Sequence, residues 1–207
     1  MKRFVLAVAL VALAVAPMTT HAQKGWKLRA DRSTDVKDPD APGDIKFMEM
    51  GGGFHAINPQ AAIYWNPANT ASGNYTLKGS FKLMKPSGHT NYYGLFFGGS
   101  NLDGPTQAYT YFLVAQDGTW LIKTRDGDAK TGSVAPKTPN AAVKKPGDDG
   151  TSVNALEVRV GADKVDFVVN GEVVTTMPKA SLKTDGIVGM RVNHLLEVMI
   201  NGFGVSK

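Results

Sequence analysis

Only four glutamates occur in the 207-residue sequence, Glu49, Glu157, Glu172 and Glu197, and no two lie two or four residues apart. Spacings of two or four would set a pair on one face of a strand, as retaining glycoside hydrolysis requires of two carboxylates about 5–5.5 Å apart. Glu157 and Glu197 fall in strand-like runs and are expected to pair with Arg159 or Arg191, so no catalytic residue is assigned. His55, His89 and His194 are far apart and show no metal-ligand spacing, so no metal ligand is assigned. No cofactor is expected; calcium is the one ion that Asn101, Asp103 and the Asp126-Gly127-Asp128 turn could take, although these are also ordinary turn formers. There is no cysteine and no Gly-x-Ser-x-Gly elbow, which excludes thiol catalysis and the serine-hydrolase elbow. Gly51-Gly52-Gly53 is followed by neither Lys-Ser/Thr nor a helix, so it reads as a turn rather than a phosphate loop.

Ligand binding needs less. Aromatic rings stack on apolar faces, while amides and charged groups fix hydroxyls. Strand alternation proposes where such groups lie. With Phe112 and Val114 turned to the core, Tyr109 and Tyr111 face away. With Trp120 and Ile122 inside, Lys123 and Arg125 are free, and with Met190 and Val192 inside, Arg191 and Asn193 are free. Glu157 and Arg159 follow the same logic. These eight are the expected ligand-binding residues, provided the register holds; otherwise they are simple cross-strand pairs. Tyr64 and Trp65, beside Asn66-Pro67, are a secondary aromatic candidate, and Trp26 and Trp120 are expected in the core.

The elements that must position these residues are strands. Asn154–Val160 alternates Leu156, Val158 and Val160 against Glu157 and Arg159, and Val165, Phe167 and Val169 repeat the pattern. Asn170-Gly171 is a type I′ hairpin signal, and Asp117-Gly118 serves a second hairpin over 107–115 and 119–125. Further strands are expected at 26–32, 45–50, 54–57, 61–65, 75–84, 92–97, 172–176, 186–193 and 195–205, with one helical turn within 177–182. The segment 126–150, rich in Pro, Gly, Lys and Asp, reads as a long loop.

Residues 1–22 read as a signal peptide: Lys2 and Arg3, an apolar run from Phe4 to Ala16, and Thr20-His21-Ala22 before the cut. That run is shorter than the ~20 residues of a spanning helix. Residues 23–207 are then expected as a single exported domain, periplasmic or secreted, with no membrane attachment. Losing Lys2 and Arg3 lowers the formal charge from +5 to +3, with no dense basic block, so a nucleic-acid partner is not expected. Without disulfides, the domain must rest on its core.

The runs NALEVRV-GADKV-DFVVNGEVV, DGIVGMRVN and LEVMINGFGV, with YYGLFFGG and AYTYFLVAQDGTWLIKTR before them, resemble the concanavalin A-like lectin/glucanase superfamily over about 73–205. Its relatives include laminin G-like modules and 3-keto-disaccharide hydrolase-like domains. The resemblance implies an all-β, two-sheet antiparallel jelly-roll sandwich with a concave front that can hold a ligand. The Glu-x-Asp-x-Glu strands of the superfamily's β-glucanases are missing here. The expectation is therefore an exported, non-catalytic module that binds carbohydrate through the concave sheet. Two alternatives remain: a 3-keto-disaccharide hydrolase-like enzyme using Glu157, Arg159, Arg191 and His55, or a protein-interaction domain using the 126–150 segment.

Overall fold

Alternation builds the molecule. From Ser152 to Val160 every second residue is buried, and the residues between face outward, the signature of a strand with one face on a core. The structure, a computed structural model, describes residues 25–33 and 36–207; the expected signal peptide lies outside the described residues. In chain order the strands are β1 (Lys27–Asp31), β2 (Lys46–Met50), β3 (Gly53–Asn58), β4 (Ala61–Ala71), β5 (Tyr75–Lys85), β6 (Tyr92–Ser100), β7 (Ala108–Ala115), β8 (Thr119–Asp126), β9 (Lys130–Pro139), β10 (Ser152–Val160), β11 (Lys164–Val169), β12 (Glu172–Pro178), β13 (Gly186–Val192) and β14 (Leu196–Ser206). One 3₁₀ turn, Lys179–Ser181, sits where a helical turn was expected.

The strands form two seven-stranded antiparallel sheets, β1-β4-β13-β6-β7-β8-β9 and β12-β11-β10-β5-β14-β3-β2. This is the all-β two-sheet sandwich that the resemblance implies. Between the sheets, Phe47, Tyr64, Phe81, Tyr93, Phe97, Phe112, Trp120 and Phe167 interleave with Leu77, Val158 and Val198, at the ~10 Å separation that apolar inner faces require. Asn170 (φ 51°) and Gly171 (φ 88°) both take the left-handed conformation that a type I′ turn needs.

Two expectations are corrected. The strand expected to stop at Trp65 runs through Asn66-Pro67 to Ala71, because a register shift in the facing β13 accommodates the irregular stretch. Segment 126–150 is not all loop, since Lys130–Pro139 is an edge strand paired with β8. Only Ala135 of it is buried, so it shows almost no alternation, and at an edge its prolines remove no needed ladder bond.

The first sheet is strongly curled. β1 and β8 are separated by four intervening strands, so a flat sheet would hold them ~24 Å apart. Yet Asp31 of β1 ion-pairs with Arg125 of β8, and Arg29 reaches Asp128 at 2.6 Å. The outer face of this sheet is therefore a trough whose edges meet. Ile63, Trp65, Phe96, Leu102, Tyr109, Tyr111, Leu113 and Leu121 fill its bottom as a second apolar cluster.

Candidate functional site

Six of the eight expected residues line this trough or its mouth. β7 and β8 set Tyr109 opposite Arg125 and Tyr111 opposite Lys123. β13 brings Arg191 across from the other side: its Nη1 donates to Tyr109 Oη at 3.0 Å, and its guanidinium lies 5.2 Å from the Tyr111 ring centroid. Arg191 also ion-pairs with Asp31 at 2.7 Å, so one carboxylate holds two guanidiniums. Burial opposes the Arg191 charge, but Tyr109, Asp31 and Tyr111 together outweigh it and push its pKa up. Burial likewise pushes the Tyr111 phenol up, against the pull of Arg191, so Tyr111 stays protonated. Gly189 shapes the floor, because a Cβ there would fall 2.3 Å from Tyr64 O and 2.4 Å from the Phe96 ring.

The other two expected residues lie elsewhere. Glu157 and Arg159 are on β10, in the second sheet, and pair with each other at 2.8 Å on the opposite outer face. Alternation placed them outward correctly but could not say on which sheet. Glu197 also faces out from the second sheet and pairs with His55 at 3.0 Å rather than with Arg191. The four residues of the hydrolase alternative therefore do not share a face. Tyr109 and Tyr111 face away from the main core but are only 3% and 6% exposed, since the curl buries them. Tyr64 and Trp65, the secondary aromatic pair, are both buried, Tyr64 in the core and Trp65 in the trough cluster.

At one end the trough opens into two contiguous cavities. The larger, ≈ 250 Å³, touches Asp31, Arg125 and His194; the smaller, ≈ 200 Å³, touches Tyr92, Tyr111 and Lys123. They share Asp38, Asn91, Arg191 and Asn193. Together they reach the low end of small-molecule sites, about 300–1,000 Å³. Among the described residues, five buried side-chain polar atoms lack a hydrogen-bond partner, and three of them, Arg125 Nε, Arg191 Nε and Asn193 Oδ1, belong to residues of the larger cavity. Buried polar groups are normally satisfied, so this cleft has polar capacity in reserve. A groove of ≈ 300 Å³ on the second sheet includes Arg159, Lys164 and Asp166, but these are spent on Glu157, on each other and on Thr176.

The structure also gathers residues that spacing did not join. Asp38 sits on the β1–β2 crossover, His89 on β5–β6 and His194 on β13–β14, each passing between the sheets at the cleft. His89 Nε2 lies 2.8 Å and His194 Nε2 3.1 Å from Asp38 Oδ1, and the two nitrogens are 3.2 Å apart. Leu195 takes φ 58° in the short turn that projects His194, an unusual state for a bulky residue. By contrast, the acids proposed for calcium are occupied by cations: Asp103 by Lys27, Asp126 by Lys130, and Asp128 by Arg29 with Gln107.

Known proteins match this chain in fold. The carbohydrate-binding module CBM66 from Bacillus subtilis superposes with a TM-score of 0.59 at 11% identity, over 92% of this chain and 100% of that one. A Bacillus subtilis protein of unknown function with a galectin-like fold gives 0.57 at 13%, over 88% and 89%. The laminarinase catalytic domain from Thermotoga maritima gives 0.51 at 11%, over 88% and 90%. The fold is thus the two-sheet β-sandwich that these proteins share. No protein-family profile matches the chain, and no curated protein matches its sequence.

Proposed function

We propose that this chain is a non-catalytic carbohydrate-binding module whose ligand occupies the cleft at the open end of the first sheet. The observation that carries the reading is the convergence of Arg125, Arg191, Asn193 and Lys123 on two contiguous cavities. A sugar hydroxyl can accept from a guanidinium and donate to an amide oxygen in the same site. Lys123, which has no ion pair among the described residues, adds a flexible donor at the smaller cavity. The shared fold with a carbohydrate-binding module supports the same ligand class. The two carboxylates that border the larger cavity are both committed, Asp31 to two guanidiniums and Asp38 to His89 and His194, which argues against their serving as the acid pair of a glycosidase.

A second reading, a hydrolase acting on a sugar derivative in this cleft, is favoured by the His194 imidazole on its wall. Turnover of 3-keto-glycosides that disappears in His194→Gln would establish it over the first.

The test is a thermal-shift screen against mono- and oligosaccharides. A ligand at 100 times its Kd adds about 2.7 kcal/mol of stability. At least one sugar should raise the melting temperature, and Lys123→Ala should weaken that effect at unchanged basal stability. Absence of any shift across the screen, or a shift untouched by Lys123→Ala, would remove the cleft reading.

A further inference from the structure

Three electron-pair donors converge on one point at the rim of this cleft. His194 Nδ1 lies 2.9 Å from Asp40 Oδ1, and Asp40 Oδ2 in turn accepts from the Ser33 backbone N–H at 2.8 Å. Donation from Nδ1 leaves the lone pair of the neutral imidazole on Nε2. That lone pair points at the space shared with His89 Nε2 and Asp38 Oδ1. The triangle of donor atoms has edges of 2.8, 3.1 and 3.2 Å. Ligand bonds of about 2.0–2.1 Å imply an edge of about 3.3 Å in a tetrahedral metal centre and about 3.0 Å between neighbours in an octahedral one. The triangle has the size of one face of either polyhedron.

We infer that Asp38, His89 and His194 form a binding site for a divalent first-row transition metal, with Asp40 as the carboxylate that orients His194. Two imidazoles and one carboxylate select such ions over calcium, which takes oxygen ligands. The burial gradient fits. The His194 side chain is 7% exposed and that of Asp40 14%, whereas those of His89 and Asp38 are 43% and 45%, so the inner ligand is fixed and the outer two leave an approach from solvent. Asn91 Nδ2, 3.0 Å from His89 Nε2, is a donor to that nitrogen and turns aside when a metal takes its lone pair, while Asn91, Asp38 and His194 all border the larger cavity. The remaining coordination positions face that cavity, where a sugar hydroxyl or carboxylate would complete the shell. This last step rests on the carbohydrate reading; metal binding itself does not.

The experiment uses the metal-stripped protein without a histidine tag, titrated calorimetrically with Zn²⁺ alone and followed by visible absorption with Co²⁺. One Zn²⁺ should bind per chain. His89→Gln, at a half-exposed position that leaves the apo melting temperature unchanged, should weaken binding more than tenfold, and Asp40→Asn by about 10–100-fold, the usual effect of losing an outer-shell partner. Co²⁺ should give ligand-field bands that His89→Gln abolishes. Binding weaker than millimolar, or equal in wild type and His89→Gln, would overturn the site, the latter by placing the ion at another pair such as His55–Glu197. Zn²⁺ bound without any sugar response would uphold the metal and defeat the carbohydrate reading. A sugar response without Zn²⁺ binding would do the reverse.

Discussion

The outer faces of the two sheets differ far more than their strands do. On the second sheet, the exposed Arg159 and Lys164 pair with the half-buried Glu157 and Asp166 beside them, and Val153 and Val173 are 45% and 51% exposed. On the first, residues equally outward in register are buried, because the edge strand β1 meets β8 across the trough. The lesson is that curvature, rather than composition, turns a sheet face into a site. A charge on a flat face costs little and does little. The same charge in the trough is desolvated, must be paired, and can present its remaining donors to one ligand.

The strongest way to break this contrast is Arg191→Ala. Asp31 would lose one of two partners and the Tyr109 hydroxyl its donor, and unfolding in urea should show a loss of about 3–5 kcal/mol, as for other broken buried pairs. Gly189→Ala should follow, at about 1–3 kcal/mol, because the new methyl must displace Phe96 or the β4 backbone; a neutral result would mean the trough floor is loosely packed. Third is pH. Burial raises the Asp117 pKa, but hydrogen bonds from Lys137, Thr119 and Thr90 overcome it and leave it below the ordinary value. The folded state therefore favours the ionised form. Its contribution is complete at neutral pH and is lost as pH falls through the folded value. Since Thr90 neighbours His89, acid should loosen that crossover, and Asp117→Asn should lose less stability on acidification than wild type. The smallest effect belongs to the flat face: Glu157→Gln should cost less than about 1 kcal/mol and leave ligand binding intact.

Much of the fold was legible in the sequence. Alternation located the strands because each has one face on the core, and Asn170-Gly171 marked its turn because few residue pairs accept two positive φ angles. Alternation also told inside from outside for all eight expected ligand residues. It could not tell which sheet, since a jelly roll passes from sheet to sheet through its crossovers, and Glu157 and Arg159 therefore joined the wrong face. Nor could it report curvature, so Tyr109 and Tyr111 were expected in the open. The Asp38–His89–His194 group left no local trace: its members sit on three separate crossovers, and His89 and His194 are 105 residues apart. Two histidines each beside a strand end were the only signal, and that is too common to use alone. β9 was missed because an edge strand with little burial need not alternate.

The central claim is that the curled face of the first sheet is the binding face. Amide chemical-shift mapping tests it most directly, titrating the ¹⁵N-labelled protein with the sugar that gives the largest thermal shift. The account predicts that shifts concentrate on Asn91, Tyr111, Lys123, Arg191 and Asn193, with Glu157, Arg159 and Lys164 unmoved. Perturbation centred on β10 and β11 instead, with the trough silent, would contradict it.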